Sequence, residues 1–69
     1  MMKFKGYNME LASYQNSDML GYWIPLVNVK SPDGEHKRVT LKPVHGITKT
    51  HADALAVIEA KHRINSNDL

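Results

Sequence analysis

The side chains of this 69-residue chain that could ligate a metal, act as a nucleophile or move a proton are few. They are four histidines (His36, His45, His51, His62), four serines (Ser13, Ser17, Ser31, Ser66) and seven carboxylates. His51 and His62 fall on nearly the same side of a helix, but eleven residues of helix separate them by roughly 16 Å, too far to share an ion. His36 and His45 flank a strand, with no cysteine or paired carboxylate to complete a ligand set. No serine lies in a nucleophile elbow, there is no Gly-rich phosphate loop, and the carboxylates are scattered singly. The expectation is a protein that is not an enzyme, with no metal and no cofactor.

The remaining chemistry is recognition. Net charge is +2, and it is unevenly placed. Residues 1–35 hold three cations (Lys3, Lys5, Lys30) against four anions, whereas residues 36–63 hold six cations against Asp53 and Glu59. Lys37, Arg38 and Lys42 concentrate the positive charge, and with Lys30 they form a candidate phosphate-binding set, with Trp23 or Tyr22 available to stack on bases. The same cations also serve to guard an edge strand from aggregation. A second candidate surface is apolar. The stretch Tyr22–Val29 is apolar at both parities: Tyr22, Ile24 and Leu26 on one, Trp23, Pro25, Val27 and Val29 on the other. One helix covers one face of a sheet, so Tyr22, Trp23, Ile24, Leu26 and Val27 are the expected contact residues for a second copy or another protein, unless the N-terminal segment with Phe4 folds over them.

The elements that must position these residues follow from periodicity. Tyr7, Met9 and Leu11 alternate with Asn8 and Glu10, predicting a strand within residues 3–13. Residues 20–30 predict a second strand, with Pro25 as a conflict, because a proline inside a central strand interrupts its ladder. Ser31-Pro32-Asp33-Gly34 predicts a tight turn, and residues 36–43 the return strand, with Val39 and Leu41 on one face. The run His51–Ile64 lacks Gly and Pro and predicts a helix, capped by Thr50 with Asp53 at its third position. On the helical wheel Ala54, Leu55, Val57, Ile58 and Ile64 are expected to face the sheet, leaving Ala52, Ala56 and Ala60 as a smooth outer strip suited to self-association.

The expected fold is therefore α+β: a three-stranded antiparallel sheet packed by one C-terminal helix, in a single domain over 1–64 with a frayed tail at 65–69. The absence of cysteine and of a long apolar run points to a protein with no membrane span and a cytoplasmic setting.

Two resemblances accompany these motifs. Lys5-Gly6-Tyr7, Gly21-Tyr22-Trp23 opening a strand, a hairpin, and Gly46-Ile47-Thr48 leading into Ala54-Leu55 resemble a group of short uncharacterised bacterial and phage proteins with a small sheet and a C-terminal helix. The order Trp23, Pro32-Asp33-Gly34, Lys37-Arg38 and Gly46-Ile47-Thr48 is similar to the arm-site DNA-binding domain of phage integrases. The second likeness implies a sheet entering the major groove with Lys30, Lys37, Arg38 and Lys42 facing DNA. The chain departs from it in its net acidic first half. The function expected is a small interaction module, acting as a homodimer or on another protein. Nucleic-acid binding and phage-type inhibition of a host complex are the alternatives.

Overall fold

The structure is a computed structural model that describes residues 2–69, so Met1, the first residue of the expected domain, lies outside the described residues. Eight elements follow one another: β1 (Met2–Phe4), β2 (Tyr7–Leu11), β3 (Tyr14–Gln15), β4 (Tyr22–Ile24), β5 (Leu26–Lys30), β6 (His36–Thr40), β7 (Val44–His45) and α1 (Lys49–Asn65). The α+β class and the C-terminal helix are as expected. The single three-stranded sheet is not: there are two antiparallel sheets, one ordered β1-β2-β5-β6 and one ordered β3-β4-β7.

Two local features produce the extra strands. Lys5 and Gly6 have φ of 50° and 84°, so residues 2–11 fold into a two-residue hairpin in which Phe4 pairs with Tyr7 and Met2 with Met9. Positive φ at both turn positions matches the twist of the flanking strands. The second feature is Pro25. It lies between β4 and β5, fully buried, and the chain changes sheet there. The missing N–H therefore interrupts no ladder, while the Pro25 carbonyl accepts from Leu41 N at 3.2 Å and from Thr40 Oγ1 at 2.8 Å. The conflict in residues 20–30 is resolved by dividing the strand.

The hairpin β5-β6 forms around the expected turn. Gly34 takes φ of 91° and donates to the Ser31 carbonyl at 2.9 Å, and Ser31 N donates to the Glu35 carbonyl at 2.8 Å. The register sets Val27 opposite Val39 and Asn28 opposite Arg38. On β2, Met9 lies opposite Val29 and Glu10 opposite Asn28. One face of the larger sheet thus carries Met9, Val27, Val29 and Val39, all buried against α1.

The helix meets that face through a different side than hydrophobicity alone suggests. Ala52, Ala56 and Ala60 are fully buried, with Val57 and Ile64, whereas Ala54 is exposed, Leu55 half-buried, and Ile58 is 65% exposed. The small methyls at every fourth position let the helix lie close to the valine-covered sheet, where a leucine or isoleucine stripe would hold it away. The alanine strip is the core contact, not an outer surface. The cap also moves: Thr48, in extended conformation, accepts from His51 N at 3.1 Å, and Thr50 lies within the first turn.

Residues 65–69 carry a defined helix cap. Ser66 is the C-cap, Asn67 takes φ of 57°, and the Asn67 and Asp68 amides donate to the carbonyls of Ile64 and Arg63 at 3.2 and 2.8 Å. This is the Schellman arrangement, in which a left-handed residue after the cap returns the chain onto its last turn. It brings Leu69 against the core beside Phe4 and Tyr7.

Candidate functional surfaces

The alternation of β1, β2, β5 and β6 decides what the larger sheet shows to solvent. With Met9, Val27, Val29 and Val39 turned to the helix, the opposite parity carries the buried Leu26 at the Pro25 end and otherwise Lys3, Asn8, Glu10, Asn28, Lys30, His36, Arg38 and Thr40. Lys3, Glu10, Lys30, His36, Arg38 and Thr40 are exposed, and Asn8 and Asn28 half-buried. The uncovered face is polar and carries more positive than negative charge. The register draws one row across all four strands, Lys3–Asn8–Lys30–His36, and a second beside it, Glu10–Asn28–Arg38.

The four cations expected to act together are therefore divided. Lys30 and Arg38 share the uncovered face. Lys37 lies opposite Val29 on the helix side, 3.4 Å from the Glu35 carboxylate, in a hollow it shares with Tyr7 and Leu69. Lys42 follows the end of β6 and is exposed. Lys3, Asn8 and Glu10 were outside the expected set: Asn8 and Glu10 join it through the pairing of β2 with β5, and Lys3 through the Lys5–Gly6 turn.

The expected apolar contact residues are also separated. Val27 is in the core and Leu26 is buried, its amide donating to Ser13 Oγ at 3.1 Å and its carbonyl accepting from Ala12 N at 3.0 Å. Neither is available to a partner. Tyr22, Trp23 and Ile24 are half-buried in the smaller sheet, where the Tyr22 ring packs on His45 with centroids 4.8 Å apart. The imbalance that motivated a contact at 22–29 is removed by the division at Pro25 and by the polar character of the larger sheet's outer parity.

Exposed apolar side chains occur elsewhere. Met2, Leu11, Ala54, Val57 and Ile58 line a groove of about 380 Å³ between the β1-β2 edge and the first half of α1, together with Thr50 and Asp53. Met2, Leu11 and Ile58 are exposed, as are Tyr14, Met19 and Leu20, the last at 86%. Ile58 becomes a surface residue because alanines occupy the contact; that relation was the signal in the sequence. The open edge of β1 is three residues long with Lys3 at its centre, which guards it against strand addition.

One buried polar cluster ties the elements together. Asp53 is nearly buried; its Oδ1 accepts from Ser13 N at 3.1 Å and its Oδ2 from Lys49 Nζ at 2.8 Å. Burial by itself raises this carboxyl, but the hydrogen bonds from Lys49 and Ser13 outweigh it and hold it below the ordinary carboxylate range. In the exposed β5-β6 turn, hydrogen bonds from Ser31 and the backbone at Glu35 lower Asp33 likewise. The Ser13 hydroxyl oxygen already accepts from Leu26 N, so this Ser–Asp–Lys grouping joins β3, β5 and α1 by satisfied contacts. Among the described residues no three His, Cys, Asp or Glu side chains gather as a metal group, and no helix is long and apolar enough to cross a membrane. Scans of protein-family models, of characterised proteins and of solved structures find no match to this chain.

Proposed function

We propose that this chain is a non-enzymatic interaction module that docks on a protein surface through the groove of Met2, Leu11, Ala54, Val57 and Ile58. The observation that carries the reading is the exposure of Met2, Leu11 and Ile58 around one apolar depression in a chain of this size. Apolar side chains scattered singly need no explanation, but several around one groove mark an interaction site. The polar groups able to do chemistry support the non-enzymatic part, since Ser13, Asp53 and Lys49 are engaged in holding elements together.

The test is Ile58→Asp, which places a charge in the groove at an exposed position. The variant keeps the thermal transition of the parent. A partner retained from extract of the source cell by the immobilised parent is lost by the variant. If the partner is a second copy, light scattering of the parent exceeds the 7.8 kDa monomer as concentration rises, and the variant stays monomeric. A parent that remains monomeric and retains nothing that Ile58→Asp fails to retain refutes the reading.

A further inference from the structure

The two outer strands of the larger sheet offer different edges. We infer that the open edge of β6 takes up an extended acidic segment of another protein as an added strand. This goes beyond the docking reading, because the groove lies at the β1 side of the sheet and β6 ends the other side.

The direction of the backbone groups is the first support. Leu41 N donates to the Pro25 carbonyl and Ser31 N to the Glu35 carbonyl, which marks the hydrogen-bonded pairs at the two ends of the β5-β6 ladder. Such pairs alternate along an antiparallel ladder, so Lys37 and Val39 also bond to β5. His36, Arg38 and Thr40 therefore turn their N–H and C=O groups away from β5. Among the described residues β6 is the last strand of its sheet, so these groups line an edge of five residues, about 17 Å long. His36, Lys37, Arg38 and Thr40 are exposed, and the segment has no proline and pairs with β5 without a bulge. The edge of β1, by contrast, is three residues long.

Charge selects the occupant. His36, Lys37 and Arg38 lie on the strand and Lys42 follows it, against one carboxylate, Glu35, 3.4 Å from Lys37. A second copy is disfavoured, because antiparallel pairing centred on Arg38 or on Lys37 sets that cation opposite itself. The cations that keep copies apart attract a strand with two adjacent acidic residues. Alternation places one of them beside Arg38 on the outer face and the other beside Lys37 on the helix side. Main-chain bonds supply the attachment, and the two ion pairs supply the choice of sequence. A polyanion such as duplex DNA meets the charges but has no peptide backbone to complete the ladder.

The experiment is amide NMR with hydrogen exchange on the full chain, titrated with a blocked peptide of alternating Val and Thr bearing Glu-Asp at its centre. At saturation the amides of His36, Arg38 and Thr40 exchange about 10-fold more slowly, while those of Lys37 and Val39, already bonded to β5, change less than about 2-fold. Replacing Glu-Asp by Gln-Asn weakens binding about 2- to 30-fold, the range for two cross-strand ion pairs. N-methylation of the central peptide nitrogens keeps both carboxylates and abolishes binding, because the ladder cannot form. Lys37→Glu/Arg38→Glu reverses the choice and takes a peptide with Lys-Lys in place of Glu-Asp. The inference is overturned by any of four results: no amide shift at about 1 mM peptide, equal slowing at Lys37 and Arg38, undiminished binding of the N-methylated peptide, or a DNA duplex that binds more tightly than the peptide. The groove variant Ile58→Asp lies outside this edge, so failure here and failure of the docking reading are separate outcomes.

Discussion

Removing the Asp53 carboxylate tests the account of how the two sheets and the helix are joined. In Asp53→Ala the Ser13 amide loses its acceptor at 3.1 Å in a place with almost no solvent access. An unsatisfied buried donor costs about 1–3 kcal/mol. Loss of the Lys49 partner adds little, about 0–1 kcal/mol, because half of the lysine side chain is in water. The expected destabilisation is about 2–3 kcal/mol, a large share of the ~3–10 kcal/mol available to a domain of this length. It corresponds to a fall in Tm of about 10–20 °C. Asp53→Asn keeps an oxygen for Ser13 N and loses only the charge, so it costs about 1 kcal/mol. The pH dependence separates the two. The folded Asp53 carboxyl lies below its ordinary value of 3.8, so its charged-form stabilisation is complete above that value and is lost as pH falls through the folded value. The gap between the parent and Asp53→Asn therefore closes as pH falls below 3.8 and through the lower folded value, while part of the gap to Asp53→Ala persists. Urea titration followed by the fluorescence of Trp23, the only tryptophan, at pH 7 and near pH 2.5 measures both. An Asp53→Ala variant within about 0.5 kcal/mol of the parent at pH 7, or an Asp53→Asn gap unchanged at low pH, refutes the reasoning.

Overpacking the alanine contact by Ala56→Leu costs about 1–3 kcal/mol in a calorimetric or circular-dichroism melt, whereas Ile58→Ala stays within about 0.5 kcal/mol. Thr48→Ala costs about 1 kcal/mol of unfolding free energy because the His51 amide loses its cap, and Thr50→Ala, inside the helix, stays within about 0.5 kcal/mol.

What could be read from the chain beforehand was what short-range chemistry determines. Pro32 and Gly34 set a turn within a few residues, and the register of β5 against β6 followed from it. The Lys5–Gly6 turn escaped notice because lysine carries no mark of a left-handed backbone; its φ of 50° is imposed by Phe4 pairing with Tyr7 and by the neighbouring β5. Pro25 was recognisable as a conflict, but its resolution depends on β4 finding partners in β3 and β7, residues eight to 23 positions away. The helix face was misread for a different reason. Hydrophobicity ranks Leu55 and Ile58 above alanine, yet the distance between a helix and a valine-covered sheet selects Ala52, Ala56 and Ala60. For the candidate surfaces, the split of Lys30 and Arg38 from Lys37 was implicit in strand alternation, whereas the membership of Lys3 required the unseen first hairpin.

The burial of Pro25 bears on how the molecule responds to load. Its ring fixes one backbone torsion at the point where the chain leaves the small sheet, and its carbonyl is clasped twice by the end of β6. The elbow therefore has little torsional freedom: displacing the small sheet from β5 at this point has to break the two hydrogen bonds on the Pro25 carbonyl or turn the one soft torsion the ring leaves free.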